Sequence, residues 1–147
     1  MGNTVKEFQN KRFLSKPNFF YLVASASHVH TLPYALELFA SFDAQLADSP
    51  LISNEQFAMG GLQSVRGYFE SQQFTDNGIR GGIELRTPNA VPRFAPSVEE
   101  WFNSFRLHAF IDAATGNVKQ ALPLQADAFT LWSAGLGFRL AAFKDLA

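Results

Sequence analysis

The chain has 147 residues, a formal net charge of −1 at pH 7 and a sequence pI of about 6.3. This near-neutral balance gives no bulk electrostatic case for binding nucleic acid or an anionic membrane surface. Cysteine is absent, which excludes disulfides, thiolate metal sites and thiol nucleophiles. The 16 phenylalanines favour strands, because a pleated and half-covered sheet surface accommodates flat rings well.

The sequence shows no signal peptide and no transmembrane helix. Its opening stretch, MGNTVKEFQNKRF, is charged and lacks an apolar core. No apolar run approaches the ~18 residues that a spanning helix needs. A membrane location would therefore require a β-barrel, and we expect a secreted form of this chain to have lost its original N-terminus.

A β-hairpin is predicted in the first third of the chain. Residues 19–32 form an apolar segment with many small and β-branched side chains, which ends at a tight turn at Pro33-Tyr34. From 36 to 46 every even-numbered residue is apolar, and four of the five odd-numbered residues are polar. This period of two predicts a strand with one apolar and one polar face.

Three more strands are predicted further along the chain, at 79–86, 105–112 and 130–140. A polar loop at 48–78 and a second loop at about 113–128 connect them, and prolines break regular structure at 88–96. Two weaker elements are a single helical turn from Ser97 to Glu100 and a sixth strand near Glu7–Leu14. The prediction is thus five or six strands with one long inserted loop.

The charged residues of these strands gather on one face, opposite the apolar residues. Strands of roughly 9–14 residues exceed the ~5–6 usual in soluble sheets and suit a transmembrane barrel with lipid-facing and lumen-facing positions. We therefore predict an all-β fold, an antiparallel transmembrane β-barrel of which this chain is an incomplete part. A soluble β-sandwich remains the alternative. The residues of the charged face are Glu37, Asp43, Arg80, Glu84, Arg86, Arg106, Asp112 and Arg139.

The most specific motif is FAMGGLQSVRGY, from Phe57 to Tyr68 in the long loop. Preceded by LISNEQ and followed by FTDNG at 74–78, it resembles the outer-membrane transporters of two-partner secretion. These are the haemolysin secretion/activation proteins of the ShlB/FhaC/HecB type, within the superfamily of barrel-assembly insertases. The resemblance covers the order of elements from about Leu22 to Leu140.

The resemblance implies roles for individual residues. In that family the Val-Arg-Gly-Tyr element lies at the tip of the sixth extracellular loop, which folds back into the barrel lumen. A Phe-x-Asp element on the strand after next corresponds to Phe110 and Asp112, and the loop arginine, here Arg66, pairs with that aspartate. The loop residues assigned to the site are Gly60, Gly61, Val65, Arg66, Gly67 and Tyr68.

The chain departs from the family pattern in three places. The first glycine after Asp112 is Gly116, later than usual in the family. Thr75-Asp76 stands where the family often has Gly-Asp, and the break at 88–104 is long for a periplasmic turn. These differences bear most on the local geometry near Asp112.

Other candidate sites have simpler interpretations. His28 and His30 share a strand face and, with His108, could suggest a metal site, but such pairs are more often ordinary polar residues. We interpret Glu99, Glu100 and Asp127 as loop charges exposed to solvent. No G-x-S-x-G elbow and no phosphate-binding loop occurs. We predict no enzymatic activity, no metal and no cofactor.

The predicted function is export of an unfolded partner protein, a large exoprotein of the haemolysin or adhesin type, across the Gram-negative outer membrane. The loop folded into the lumen would gate the pore, and the chain would contact the partner and membrane lipid but no nucleic acid. We expect residues 1–147 to be a partial C-terminal barrel domain that lacks the periplasmic domains, the early strands and the final strands. Alternatives are an insertase of the same superfamily and a soluble binding module.

Overall fold

The computed structural model describes residues 4–91 and 102–142. No helix in these ranges is long and apolar enough to cross a membrane. The predicted helical turn from Ser97 to Glu100 lies outside the described residues. The elements are α1 (Val5–Lys11), β1 (Tyr21–Thr31), β2 (Glu37–Ala47), β3 (Phe57–Met59), β4 (Gln73–Thr75), β5 (Asn77–Arg86), β6 (Phe102–Asn117) and β7 (Ala128–Ala142).

Five strands form one sheet in the order β1-β2-β5-β6-β7, and β3 pairs with β4 in a separate two-stranded sheet. Within the described residues β1 and β7 each have a single neighbour, so the sheet does not close there. The predicted fold class, an all-β antiparallel sheet of an incomplete barrel, is confirmed. The five main strands lie where the alternation predicted them.

Strand β6 is longer than predicted, because it continues through residues 113–117 of the expected loop. Small side chains make this possible. A side chain at Gly116 would collide with the backbone carbonyl of Asn77, 2.6 Å from the position of an added Cβ. Glycine at this position therefore lets β6 run close beside β5.

The sixth strand predicted near Glu7–Leu14 is wrong, because the segment forms helix α1 instead. Thr4 caps the helix: its side chain accepts a hydrogen bond from the backbone N–H of Glu7, 3.4 Å away, and Glu7 accepts one from the backbone N–H of Thr4, 3.0 Å away. Lys11 in the last turn suits the negative end of the helix dipole. This capping box stabilises a helix where the sequence has no alternation to support a strand.

The two faces of the main strands differ in an unusual way. On one face, which we call the polar face, charged and amide side chains are buried, among them Gln45, Glu84 and Asp112. On the opposite face, the apolar face, large hydrophobic side chains such as Leu46, Ile83 and Leu136 are exposed. A water-soluble sheet would show the reverse, so this distribution favours lipid contact for the apolar face.

The chain divides into two compact units, and in each the polar face is lined by ion pairs or loop contacts. In the unit built from 27–40, 83–111 and the chain from 134 onward, the buried carboxylate of Glu84 accepts a hydrogen bond from Arg86 at 2.7 Å and forms an ion pair with Arg139 at 2.9 Å. Arg106 and Glu37 form a more exposed pair at 2.9 Å. The other unit carries the long loop.

A matched pair of leucines tests the lipid contact of the apolar face. Leu136 on β7 and Leu124 in the β6–β7 loop are both highly exposed. In the full-length protein, Leu136→Arg should destabilise the membrane-inserted state by about 2–4 kcal/mol, because arginine in the hydrocarbon layer is costly. Leu124→Arg should have little effect. Heat-modifiable migration of the protein from native membranes measures the folded fraction, and equal folding of the two variants would argue for a sheet that faces water.

Candidate functional site

The long loop folds into a hairpin of its own. Strands β3 and β4 pair in an antiparallel register in which Phe57 lies opposite Thr75 and Met59 opposite Gln73. The motif begins in β3, and its remaining part, Gly60 to Tyr68, lies in residues 60–72, which form the tip of this hairpin. Sequence analysis predicted a polar loop at 48–78, and it did not predict the two short strands that lie within it.

The glycines of the motif permit the backbone path of the tip. Gly60, Gly61 and Gly67 have φ angles of 102°, 106° and 89°, a region that side-chain-bearing residues rarely occupy. A Cβ atom at Gly60 would lie 2.6 Å from the carbonyl oxygen of Phe69, so the space there also excludes a side chain. The backbone N–H of Gly61 donates to the carbonyl of Val65 at 3.2 Å, which closes the turn.

Arg66 and Asp112 meet in a two-point ion pair. Arg66 Nε lies 2.7 Å from Asp112 Oδ2, Nη2 lies 2.8 Å from Oδ1, and the Arg66 backbone N–H donates to Oδ2 at 3.2 Å. The exposed fraction is 16% for the arginine side chain and 3% for the aspartate side chain. The carboxylate of β6 is thus satisfied by the loop, in the planar geometry that only arginine provides.

An apolar anchor sits beside the ion pair. Val65 is fully buried and belongs to a cluster with Phe57 and Met59 of the hairpin and with Ala114 and Leu131 of the sheet. Ala114 and Leu131 were not predicted as site residues. Their signal in the sequence is that each is apolar at a position of the polar face, where the alternation calls for a polar residue.

Tyr68 and Phe110 have different neighbours. Tyr68 packs against the apolar cluster, and its hydroxyl donates to the backbone carbonyl of Trp132 at 3.2 Å. Phe110 lies over Gly135 of β7, where an added Cβ would come within 2.6 Å of the ring. The tip of the loop therefore reaches β7 as well as β6, and Phe110 packs along the sheet.

Strand β3 of the hairpin is held by Arg80 of β5. Its Nε lies 3.0 Å from Asp43 Oδ2, its Nη1 donates to the carbonyl of Ala58 at 3.3 Å, and its guanidinium lies 5.4 Å from the centre of the Phe57 ring. Phe57 also covers Gly78, which leaves room for the ring. The polar face of β5 thereby supports β3 directly.

A second buried carboxylate, Asp76, lies between β4 and β5 and was not predicted as a site residue. Arg12, next to α1, donates two hydrogen bonds to the Asp76 carboxylate, from Nη1 to Oδ1 and from Nη2 to Oδ2; the second is 2.6 Å long. The backbone N–H groups of Leu51 and Lys119 donate to it at 2.8 and 2.7 Å. One carboxylate thus joins α1, the start of the long loop and the β6–β7 loop.

These contacts control the pKa of Asp76. Burial alone would raise this pKa, but the Arg12 guanidinium and the N–H groups of Leu51 and Lys119 outweigh burial and hold it below its usual range. Because the pKa is lowered on folding, the ionised carboxylate stabilises the fold above the ordinary aspartate pKa of ~3.9. That contribution is lost as the pH falls through the lowered value.

The three histidines considered as metal ligands do not gather in one place. The rings of His28 and His30 stack with centroids 6.2 Å apart, and His108 lies away from them on β6 beside Phe110. Residues 4–91 and 102–142 contain no group of three or more His, Asp or Glu side chains that could hold a metal ion. Asp127 lies exposed in the β6–β7 loop, and Glu99-Glu100 falls outside the described residues.

Replacement of Asp76 tests its role as the junction of three segments. Asp76→Asn keeps the shape but leaves the largely buried Arg12 without a counter-charge, which should destabilise the local fold by about 3–5 kcal/mol. Hydrogen exchange of the Leu51 and Lys119 amides in the full-length protein should accelerate accordingly. Asp127→Asn is the matched control and should exchange like the wild type.

The pH dependence gives a second check on Asp76. The quantity to compare is the free energy that protects the Leu51 and Lys119 amides from exchange. The difference in this free energy between wild type and Asp76→Asn should be constant near neutral pH and should shrink as the pH falls below about 3.9. A difference that persists at acid pH would mean that the charge of Asp76 does not stabilise this junction.

Comparison with known proteins agrees with the motif and the fold. The family model of the haemolysin secretion/activation protein ShlB/FhaC/HecB matches residues 4–140. No curated protein and no solved structure shows a significant match. Members of the family are outer-membrane transporters of Gram-negative bacteria that secrete a partner protein, which confirms the predicted location and class of protein. The chain belongs to the ShlB/FhaC/HecB family of haemolysin secretion/activation proteins.

Proposed function

We propose that this chain forms a segment of the pore through which an unfolded partner protein of the haemolysin or adhesin type leaves the cell, and that the 48–78 loop gates this pore from within the lumen. The family supplies the transport activity in general terms. The gating role of the loop is the finer step that we add. Its mechanism is binding and conformational change, with no bond chemistry.

The observation that carries the proposal is the docking of the loop tip on the polar face through Arg66 and Asp112. In a loop that projected into the medium, Arg66 would be exposed to solvent and would not be buried against the strand carboxylate of Asp112. Val65 adds an apolar contact beside the ion pair. Together they support a loop held within the space that the polar face encloses.

The size of the interaction suits a gate. Removing one partner of a buried ion pair costs about 3–5 kcal/mol, whereas an exposed pair is worth only ~0–1 kcal/mol. An energy of the larger size can move a two-state equilibrium between docked and released forms by several orders of magnitude. Binding of the partner protein could then shift the loop by competing for its contacts.

A double-mutant cycle in the full-length protein tests the pair. Arg66→Ala and Asp112→Ala should each lower the amount of partner in the medium to a similar extent, and the double variant should be little worse than either, because both residues act through one interaction. The Arg106–Glu37 pair, also on the polar face but about one-third exposed, is the matched control. Arg106→Ala and Glu37→Ala should leave export near the wild-type level.

Two outcomes would contradict the proposal. Additive losses for Arg66→Ala and Asp112→Ala would mean that the residues act independently. If Arg66→Ala and Asp112→Ala leave export of the partner normal but lower the amount of unrelated porins in the outer membrane, the insertase activity of the wider superfamily would be favoured. Both quantities come from the same cultures, by immunoblot of the medium and of the membranes.

A further inference from the structure

A cavity of about 570 Å³ lies beside the hairpin, within the unit that carries the long loop. It is bounded by the end of α1, by the hairpin and by the β6–β7 loop. Its volume falls within the range of ligand sites in proteins, about 300–1,000 Å³. The family's transport activity does not by itself account for a cavity at this place.

The lining of the cavity is unusual in its chemistry. Seven of its 15 lining residues are Gln or Asn, and none is acidic. Three phenylalanines, Phe13, Phe74 and Phe129, add apolar surface. Amide side chains offer both a donor and an acceptor without charge, which matches the repeating N–H and C=O groups of a polypeptide backbone.

Strand β4 contributes to the wall of the cavity, and one of its edges has no strand partner within residues 4–91 and 102–142. Strand β4 has β3 as its single sheet neighbour within the described residues, and Gln73 and Phe74 of β4 line the cavity. The second edge of such a strand presents unpaired backbone groups, which readily accept another extended chain. The edge and the amides therefore point independently to the same class of ligand.

One buried carboxylate, Asp76, links the segments that form the walls of the cavity. Arg12, which lines it, is held by Asp76, and the same carboxylate accepts hydrogen bonds from Leu51 of the long loop and Lys119 of the β6–β7 loop. Preorganised walls reduce the entropy that binding must overcome. A cavity formed by three mobile segments would lack this advantage.

We propose that this cavity binds an extended segment of the exported partner through its backbone, with the phenylalanines accepting apolar side chains. The inference rests on the proposed export function and adds a substrate site to it. Recognition of the backbone suits an unfolded cargo, because it does not depend on the cargo sequence. An anionic lipid headgroup fits less well, since the lining has two cations, Lys11 and Arg12, and Asp76 already pairs with one of them.

Photocrosslinking tests the site in living cells. The full-length protein, with p-benzoylphenylalanine at Phe74, is produced together with its secreted partner and irradiated during export. Phe74 is 42% exposed and lines the cavity, whereas Phe69 in the same loop is 85% exposed and does not line it. We expect an adduct with the partner at Phe74 and at least tenfold less adduct at the control position Phe69.

A cavity-filling variant separates specific binding from mere proximity. Gln56→Trp places a large ring in the cavity and should lower the Phe74 adduct about tenfold while the membrane protein still shows its normal heat-modifiable migration. The proposal would be overturned if the adduct yields at Phe69 and Phe74 were equal and Gln56→Trp did not change them. An adduct with lipopolysaccharide in place of the partner would also overturn it.

Export measured in the same cells distinguishes the two proposals. If the partner reaches the medium but no adduct forms at Phe74, the cavity proposal alone fails. If wild-type protein does not release the partner, the export function fails, and the cavity proposal fails with it.

Discussion

The structure depends on how carboxylates are satisfied on the buried face of a sheet whose other face is apolar. Asp112 is almost completely removed from water, and an ionised carboxylate in that position is tolerable only with a matching charge and well-directed donors. The loop supplies both, through the Arg66 guanidinium and its own backbone N–H. The charge on β6 therefore determines where the loop tip can lie, and Val65 makes the contact close-packed.

The same principle operates at the other end of the hairpin. Asp76 is buried between β4 and β5 and draws together Arg12, the backbone of Leu51 and the backbone of Lys119. Arg80 supports β3 between these two points through Asp43 and Phe57. The loop is thus held at its tip, middle and base, and the cavity beside it takes its walls from the segments that Asp76 joins.

The alternation of side chains predicts the five main strands and their faces, because a period of two appears directly in the sequence. It does not predict which residues meet across the fold, since Arg12 and Asp76 are 64 positions apart and no local pattern connects them. The pairing of Arg66 with Asp112 was suggested only by the family resemblance. Helix α1 was missed although its capping box, Thr4 with Glu7, is a local signal. Ala114 and Leu131 could have been found as apolar exceptions on the polar face.

The central claim is that the ion pair holds the loop against the sheet, and crosslinking measures this most directly. The chain has no cysteine, so Val65→Cys with Ala114→Cys introduces the only thiols in this segment, at two residues of the same buried cluster. Because both positions are buried against each other, the two thiols should form a disulfide during oxidative folding, visible on a non-reducing gel, and Asp112→Asn in the same background should reduce the disulfide yield strongly. A yield that does not change when Asp112 loses its charge would contradict the account.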